Sequence, residues 1–144
     1  MKLRILATIA AALLLTAGAA ACAPSPTTAA IEVRLNDSVA AVELSRSLPS
    51  TMSFDNRMGT AQVARLAAPL NTRGADSAPS YRAGDVAYWA AEQSIVIFLH
   101  DGSGVPTSGL VLIGHTSGDL SRIGDCTRQC TLSPTSRGDE TVQS

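Results

Sequence analysis

The segment Ile95–Leu99 (Ile-Val-Ile-Phe-Leu) constrains the fold of this chain more than any other stretch. Its β-branched and aromatic residues are typical of a strand that meets little water on either face. The run Val86–Ala90 precedes it across the short turn Ala91–Gln93, so the two runs predict a β-hairpin. A third apolar run, Leu110–Gly114, predicts another core strand. We therefore expect a fold built around a sheet.

The region before the hairpin begins with a strand and a short helix. Apolar and charged residues alternate over Ile31–Leu35, which predicts a half-buried strand. Asn36–Ser38 predicts a turn and a helix cap, and Val39–Ser47 predicts the helix, which ends before Pro49. The residues expected to face inward on this helix are Val39, Val42 and Leu44.

Two more strands and a long connection complete the β pattern. Thr51–Phe54 and Met58–Leu66 predict strands on either side of a polar turn at Asp55–Arg57. The connection Ala67–Arg82 is longer than most loops, and such length is typical of functional or mobile segments. Many short strands with one or two short helices predict a mainly β fold, namely a small closed β-barrel over residues 31–125.

The first 21 residues have the order of a secretory signal peptide. Lys2 and Arg4 supply positive charge, and Ile5–Leu15 is apolar but too short to span a bilayer as a permanent helix. The small residues of Thr16–Ala21 then provide a cleavage site. Residues 22–30 are rich in Pro, Ser and Thr, and this composition predicts a flexible tether before the barrel. We expect an extracytoplasmic protein.

Cys22 gives the exported chain a second possible feature, a lipid anchor. A cysteine directly after the small residues resembles the lipobox of bacterial lipoproteins, in which the thiol is diacylated. Two acyl chains hold a protein stably at a membrane, so the membrane is the expected partner. Ala19 departs from this pattern, which prefers Leu at that position. Cleavage after Ala21 without lipidation would instead leave a secreted protein with an unmodified Cys22.

The two remaining cysteines, Cys126 and Cys130, are expected to form a disulfide in an oxidising exterior. Three residues separate them, so the ring closes a turn and removes little loop entropy. Two thiols without nearby histidines do not suggest a metal site, and no cofactor is expected. Residues 126–144 are predicted to be this bridged turn followed by a polar, disordered tail.

The charges of the chain do not suggest a nucleic-acid partner. The chain has 11 basic and 12 acidic residues, and two of the basic residues, Lys2 and Arg4, lie in the predicted signal peptide. The remaining arginines are scattered singly along the chain, without the basic patch that binds phosphates. We expect a monomer that does not bind nucleic acid.

The order of these motifs resembles the small bacterial cyclophilin-like domain proteins. The resemblance is carried by Ile31–Pro49, Ser53–Thr60, Tyr81–Trp89, Ile95–Asp101 and Gly109–Gly114. It implies a compact β-barrel related in fold to the peptidyl-prolyl isomerases, but the family has no settled activity. An acidic residue that usually follows Gly59-Thr60 is replaced by Ala61-Gln62.

The function expected from the sequence is non-catalytic. Cyclophilin-type isomerases resemble one another in a Phe-His-Arg motif and a Gln before Gly-Asp, and neither accompanies Gly84-Asp85. A binding or accessory module with an unknown small-molecule or peptide ligand is therefore predicted. The alternative is an envelope enzyme, such as a divergent isomerase. The candidate ligand-binding residues are Tyr81, Arg82, Tyr88, Trp89 and His100, with core packing as the alternative role of Tyr88 or Trp89 and a solvated rim position that of His100.

Overall fold

The computed structural model describes Gly18, residues 29–103 and residues 109–135. Cys22, nearly all of the predicted signal peptide and most of the predicted tether lie outside the described residues, as does the tail from residue 136. Within the described ranges, no helix has the length and apolar character needed to cross a membrane.

Ten strands, two α-helices and one 3₁₀ turn form the described part of the chain. In chain order the strands are β1 (Ala30–Leu35), β2 (Ser50–Met52), β3 (Asp55–Arg57), β4 (Ala61–Arg65), β5 (Ser80–Tyr81), β6 (Asp85–Trp89), β7 (Ser94–Phe98), β8 (Gly102–Ser103), β9 (Leu110–His115) and β10 (Cys130–Pro134). The helices are α1 (Val39–Ser45) and α2 (Leu120–Asp125), and the 3₁₀ turn is Ala90–Glu92.

Eight of the strands form one sheet, in the order β2-β10-β1-β9-β6-β7-β4-β3. β1 and β10 run parallel, and the other neighbours in the sheet run antiparallel. β5 and β8 pair with each other as a separate two-stranded ribbon. The predicted hairpin is confirmed as β6 and β7, in which Val86 lies opposite Ile97.

The two edges of the large sheet belong to one stretch of chain. β2 forms one edge and β3 the other, and only Ser53 and Phe54 separate them. Two connecting residues reach about 10 Å at most, so the sheet curls into a half-barrel that brings its edges near each other. No ladder joins β2 to β3 in the described chain, and the predicted closed barrel is therefore wrong.

The seam between these edges is open, since no ladder pairs β2 with β3 in the described chain. Phe54 occupies the seam: its side chain is buried, and its backbone N–H donates to the carbonyl of Thr127 at 2.9 Å. Thr127 lies in the loop that leads to β10, so this loop fills the place where a closing ladder would lie.

Two apolar clusters lie on opposite faces of the sheet. The inner face packs against α1 and α2 and forms the main core, which contains Val33, Leu44, Phe54, Tyr88, Ile95, Ile97, Ile113 and Leu132 among others. The other face carries a smaller group, here called the outer cluster, made of Ala61, Val63, Ala87, Val96, Phe98 and Leu110, with Tyr81, Trp89 and Leu112 packed against it.

Helix α1 is rotated relative to its prediction. Ser38 caps it, with the hydroxyl oxygen accepting from the backbone N–H of Ala41 at 3.2 Å. Ala40, Ala41 and Leu44 face the core. Val39 and Val42 are about half exposed, so their predicted inward orientation is wrong. Because alanine is small, a helix that buries alanines lies closer to a sheet than one that buries valines.

The structure also differs from two local predictions around the seam. Asp55–Arg57, predicted as a turn, is strand β3, and the chain reverses at Met58 and Gly59, whose φ angles are 50° and 74°. Two consecutive positive φ values are those of a type I′ hairpin turn. Cys130–Pro134 lies in the sheet between β1 and β2, so the domain extends past residue 125, where the sequence placed its end.

The predicted disulfide between Cys126 and Cys130 is confirmed. Both residues are buried, and Cys130 is completely so. The bridge closes the loop between α2 and β10, the same loop that provides the Thr127 carbonyl to Phe54. The bridge therefore lies at the seam of the half-barrel rather than in a peripheral turn.

Candidate functional site

The turn that leads into β6 is held by two carboxylates. The backbone N–H of Arg82 donates to Asp85 Oδ2 at 2.8 Å, and the N–H of Ala83 donates to Asp101 Oδ1 at 2.7 Å. Gly84 completes the turn with a φ of 90°, a conformation that favours glycine. These hydrogen bonds fix both the backbone of the turn and the orientation of the Asp85 carboxylate.

The second oxygen of Asp85 binds a histidine on the neighbouring strand. Asp85 on β6 and His115 on β9 are direct register partners, and Asp85 Oδ1 lies 3.2 Å from His115 Nδ1. Gly84 makes room for the imidazole ring, since a Cβ at this position would lie 2.8 Å from His115 Cε1. The absence of a side chain at Gly84 and the carboxylate of Asp85 together orient the ring.

This orientation determines which nitrogen of His115 is available. A carboxylate beside Nδ1 favours the tautomer with the proton on Nδ1, so Nε2 of the neutral ring is a hydrogen-bond acceptor. The His115 side chain is 55% exposed, whereas that of Asp85 is 18% exposed. The pair therefore presents an oriented imidazole to solvent, suited to binding a donor group or accepting a proton.

Of the predicted ligand-binding residues, Arg82 and Tyr81 lie at this turn. Arg82 is exposed, and its backbone N–H binds the same carboxylate as His115. The ring of Tyr81 stacks on Phe98, with centroids 3.7 Å apart. A Cβ at Gly102, the cross-strand partner of Tyr81, would overlap the Tyr81 ring. Tyr81 thus fastens the β5–β8 ribbon to the outer cluster and is only partly exposed.

The structure places Tyr88 and Trp89 on opposite faces, as expected for neighbours in a strand. Tyr88 is 1% exposed in the main core, and its hydroxyl oxygen accepts from the backbone N–H of Leu70 at 3.1 Å. Trp89 is partly exposed at the border of the outer cluster. A ligand at the surface can meet Trp89, whereas Tyr88 anchors the long connection through Leu70.

His100 is the candidate that lines a groove beside α2. This groove has a volume of about 390 Å³ and is also lined by Asn56, Leu99, Leu120, Ser121, Gly124 and Asp125. The carboxylate of its neighbour Asp101 accepts from the backbone N–H of Ala83 in the turn before β6. His100 therefore lines a groove whose lining does not include Trp89 or His115, and the next residue, Asp101, binds the turn before β6.

Gln62 is a buried polar residue whose role was not predicted. It belongs to the Ala61-Gln62 pair that replaces the acid of the family pattern, and its side chain is fully buried. Its Nε2 donates to the carbonyls of Ile123, Gly124 and Cys126 at 2.8, 2.8 and 3.0 Å. A carboxylate oxygen there would face three carbonyl oxygens and be repelled. Position 62 thus holds the end of α2, and Oε1 has no hydrogen-bond partner in the described chain.

The pairing of Asp85 with His115 was also missed by sequence reasoning. The two residues are 30 positions apart, and only the register of β6 and β9 brings them together. The sequence offered one sign, since Gly84-Asp85 belongs to a motif and His115 ends a predicted strand. Among the described residues, no three His, Cys, Asp or Glu side chains come close enough to hold a metal ion.

Comparison with known proteins identifies one family. The model of the cyclophilin-like family matches residues 27–133, which include the turn before β6, His115 and all but the last residue of β10. The match confirms the resemblance inferred from the motifs. No curated protein and no solved structure matches the chain.

Proposed function

We propose that this chain, which belongs to the cyclophilin-like family, is an exported binding module held at the membrane by a lipid on Cys22. The order of charge, apolar run and small residues before Cys22 supports export, and the position of Cys22 supports the anchor. The Pro-, Ser- and Thr-rich residues that follow would separate the domain from the bilayer.

The binding site of this module is the outer face around the Asp85–His115 pair. That pair is the observation that carries the proposal, because an imidazole oriented by a fixed carboxylate loses little freedom when it binds a ligand. Trp89 lies on the same strand as Asp85, and the two residues occupy alternate outward positions with Ala87 between them. Partly exposed aromatic and polar groups on one face of a sheet are typical of a binding surface.

The positions of the other basic residues favour binding over catalysis. Arg57 pairs with Glu92 at 3.1 Å on the surface. His100 lines the groove beside α2, apart from His115. An isomerase needs an arginine donor beside an apolar pocket, whereas Arg57 is held by a surface carboxylate.

A screen of the whole protein in mild detergent tests the site. The probes are a random heptapeptide library and a small-molecule fragment collection, and binding is read by thermal shift and NMR. We expect at least one saturable ligand whose affinity falls about tenfold or more in Trp89→Ala or His115→Gln. The matched control, His100→Gln, should bind normally. Binders that depend on His100 alone would move the site to the α2 groove, and a screen without binders would contradict a binding function.

The enzyme alternative has a direct assay. A tetrapeptide with a central X-Pro bond is mixed with the whole protein, and cis-trans interconversion is followed by NMR exchange. We expect the uncatalysed rate. Acceleration that Arg82→Ala abolishes would overturn the proposal of a non-catalytic module.

The anchor is tested by mass spectrometry of the protein from its native membrane. A diacylated cysteine at the mature N-terminus is expected, and Cys22→Ser should release the protein from the membrane fraction. A mature chain that starts with an unmodified thiol would refute the lipid anchor while leaving export in place.

A further inference from the structure

Strand β1 lies on the other side of β9 from β6, and it places an arginine next to His115. His115 is the register partner of Asp85 on β6 and also of Arg34 on β1. Directly opposed residues in an antiparallel pair point to the same face, with Cβ atoms about 5 Å apart. Arg34 and His115 are both exposed. Three strands thus place a carboxylate, an imidazole and a guanidinium in one row across the outer face.

The three side chains of this row differ in which of their polar atoms already have partners. Both oxygens of Asp85 are used, one by His115 and one by the Arg82 backbone. The ring of His115 has Nε2 left as an acceptor. Arg34 takes part in no ion pair within the described chain, although Glu32 occupies the next outward position on the same strand. The row therefore offers one hydrogen-bond acceptor, Nε2, on a ring edge that lies over Gly84, and one guanidinium on the neighbouring strand β1.

We propose that this row binds a carboxylate that carries a neighbouring N–H or O–H donor. The carboxylate would pair with the Arg34 guanidinium, whose planar fork matches two carboxylate oxygens. The neighbouring donor would bind Nε2 of His115, which Asp85 holds in the accepting tautomer. A peptide C-terminus has this chemistry, since its last amide N–H lies beside the carboxylate, and so does a small hydroxy acid. This inference rests on the proposed function, because it names the ligand class of the same outer face.

NMR of the whole protein in mild detergent tests this inference with three defined probes. The probes are acetyl-Ala-Ala-Ala with a free carboxylate, the same peptide as its C-terminal amide, and lactate. The readout is the long-range ¹H–¹⁵N spectrum of the His115 ring, which reports the tautomer and any contact at Nε2. We expect the free-acid peptide to shift the Nε2 signal saturably and the amide to leave it unchanged. A response to lactate alone would assign the site to small hydroxy acids, and a response to the peptide acid alone would assign it to peptide C-termini.

Three variants separate the roles within the row. Arg34→Gln should weaken binding of the responding acid by about tenfold or more, as expected for a lost charge-assisted pair. Arg65→Gln, at another exposed arginine in a strand, is the matched control and should bind normally. Asp85→Ala should mix the two tautomers in the free protein and weaken binding, which identifies Asp85 as a positioning residue.

Three results would overturn the inference: equal binding of acid and amide, equal effects of Arg34→Gln and Arg65→Gln, or no saturable response to either acid. If the screen meanwhile finds ligands that depend on Trp89, only the carboxylate row is refuted and the binding module stands. If neither experiment finds a ligand, the proposed function fails as well.

Discussion

The inner and outer faces of the sheet differ in how deeply their side chains are buried. On β6, Tyr88 faces inward, is almost completely buried and uses its hydroxyl to hold Leu70. Its neighbour Trp89 faces outward at the edge of a smaller cluster and stays partly exposed. Asp85 and His115 also face outward and bind each other at the surface. The inner face therefore holds the larger share of the buried apolar side chains, while the outer face keeps polar and aromatic groups partly exposed.

The largest effect on this comparison should come from Tyr88. Tyr88→Ala is expected to destabilise the domain by about 3–5 kcal/mol, because it removes a large buried side chain and leaves a cavity. Urea unfolding measures the loss. Tyr88→Phe, the control, should cost only about 1 kcal/mol for the hydrogen bond to Leu70. A loss below 1 kcal/mol for Tyr88→Ala would mean that the inner face is not the main source of stability.

Gln62 lies on the inner face and binds the carbonyls at the end of α2. Gln62→Leu keeps the approximate volume but leaves the Cys126 carbonyl without its donor. The carbonyls of Ile123 and Gly124 lose one donor each and keep a second, the Cys126 N–H and Asn56 Nδ2. We expect a loss of roughly 1–3 kcal/mol, since a buried carbonyl without a partner is costly. Hydrogen exchange should also rise in α2. An unchanged unfolding midpoint would show that water satisfies these carbonyls equally well.

Removal of the disulfide tests whether the seam contributes to the stability of the inner face. The double change Cys126→Ala and Cys130→Ala should cost about 2 kcal/mol, which is the low end of the loop-constraint range because the ring is short. Protection of the Phe54 amide should fall with it, because that amide binds Thr127 inside the bridged loop. Calorimetry and hydrogen exchange measure the two effects. A stability loss without a change at Phe54 would separate the bridge from the seam.

The smallest effect is expected on the outer face. His115→Gln should change stability by about 0.5 kcal/mol or less, because the Asp85–His115 pair is largely exposed on the histidine side. Thermal unfolding measures it, with His100→Gln as the matched control. A loss above about 1.5 kcal/mol would give His115 a structural role and remove the contrast between the two faces.

Local patterns in the sequence predicted the features that depend on neighbouring residues. The β-branched runs predicted β6, β7 and β9, because alternation and strand propensity act within a few residues. The disulfide was predicted since Cys126 and Cys130 are close in sequence and even in number once Cys22 is set aside. The motif order predicted the family, which the match over residues 27–133 confirmed.

Local patterns did not predict the features that depend on the pairing of strands far apart in the chain. The apolar residues of α1 did not reveal which side the sheet would cover, and the polar composition after Ile123 hid β10, whose hydrogen bonds come from β1 and β2. The curl of the sheet follows from one stretch of chain supplying both edges, which strand counting does not detect.

The sequence by itself thus determined a mainly β domain of the cyclophilin-like family with a bridged cysteine pair. Only the tertiary structure decided that Tyr88 is buried while Trp89 is not, and that Asp85 meets His115 next to Arg34. The physical reason is that strand propensity is local, whereas the face and the partners of a side chain are set by hydrogen-bond register between strands far apart in the chain.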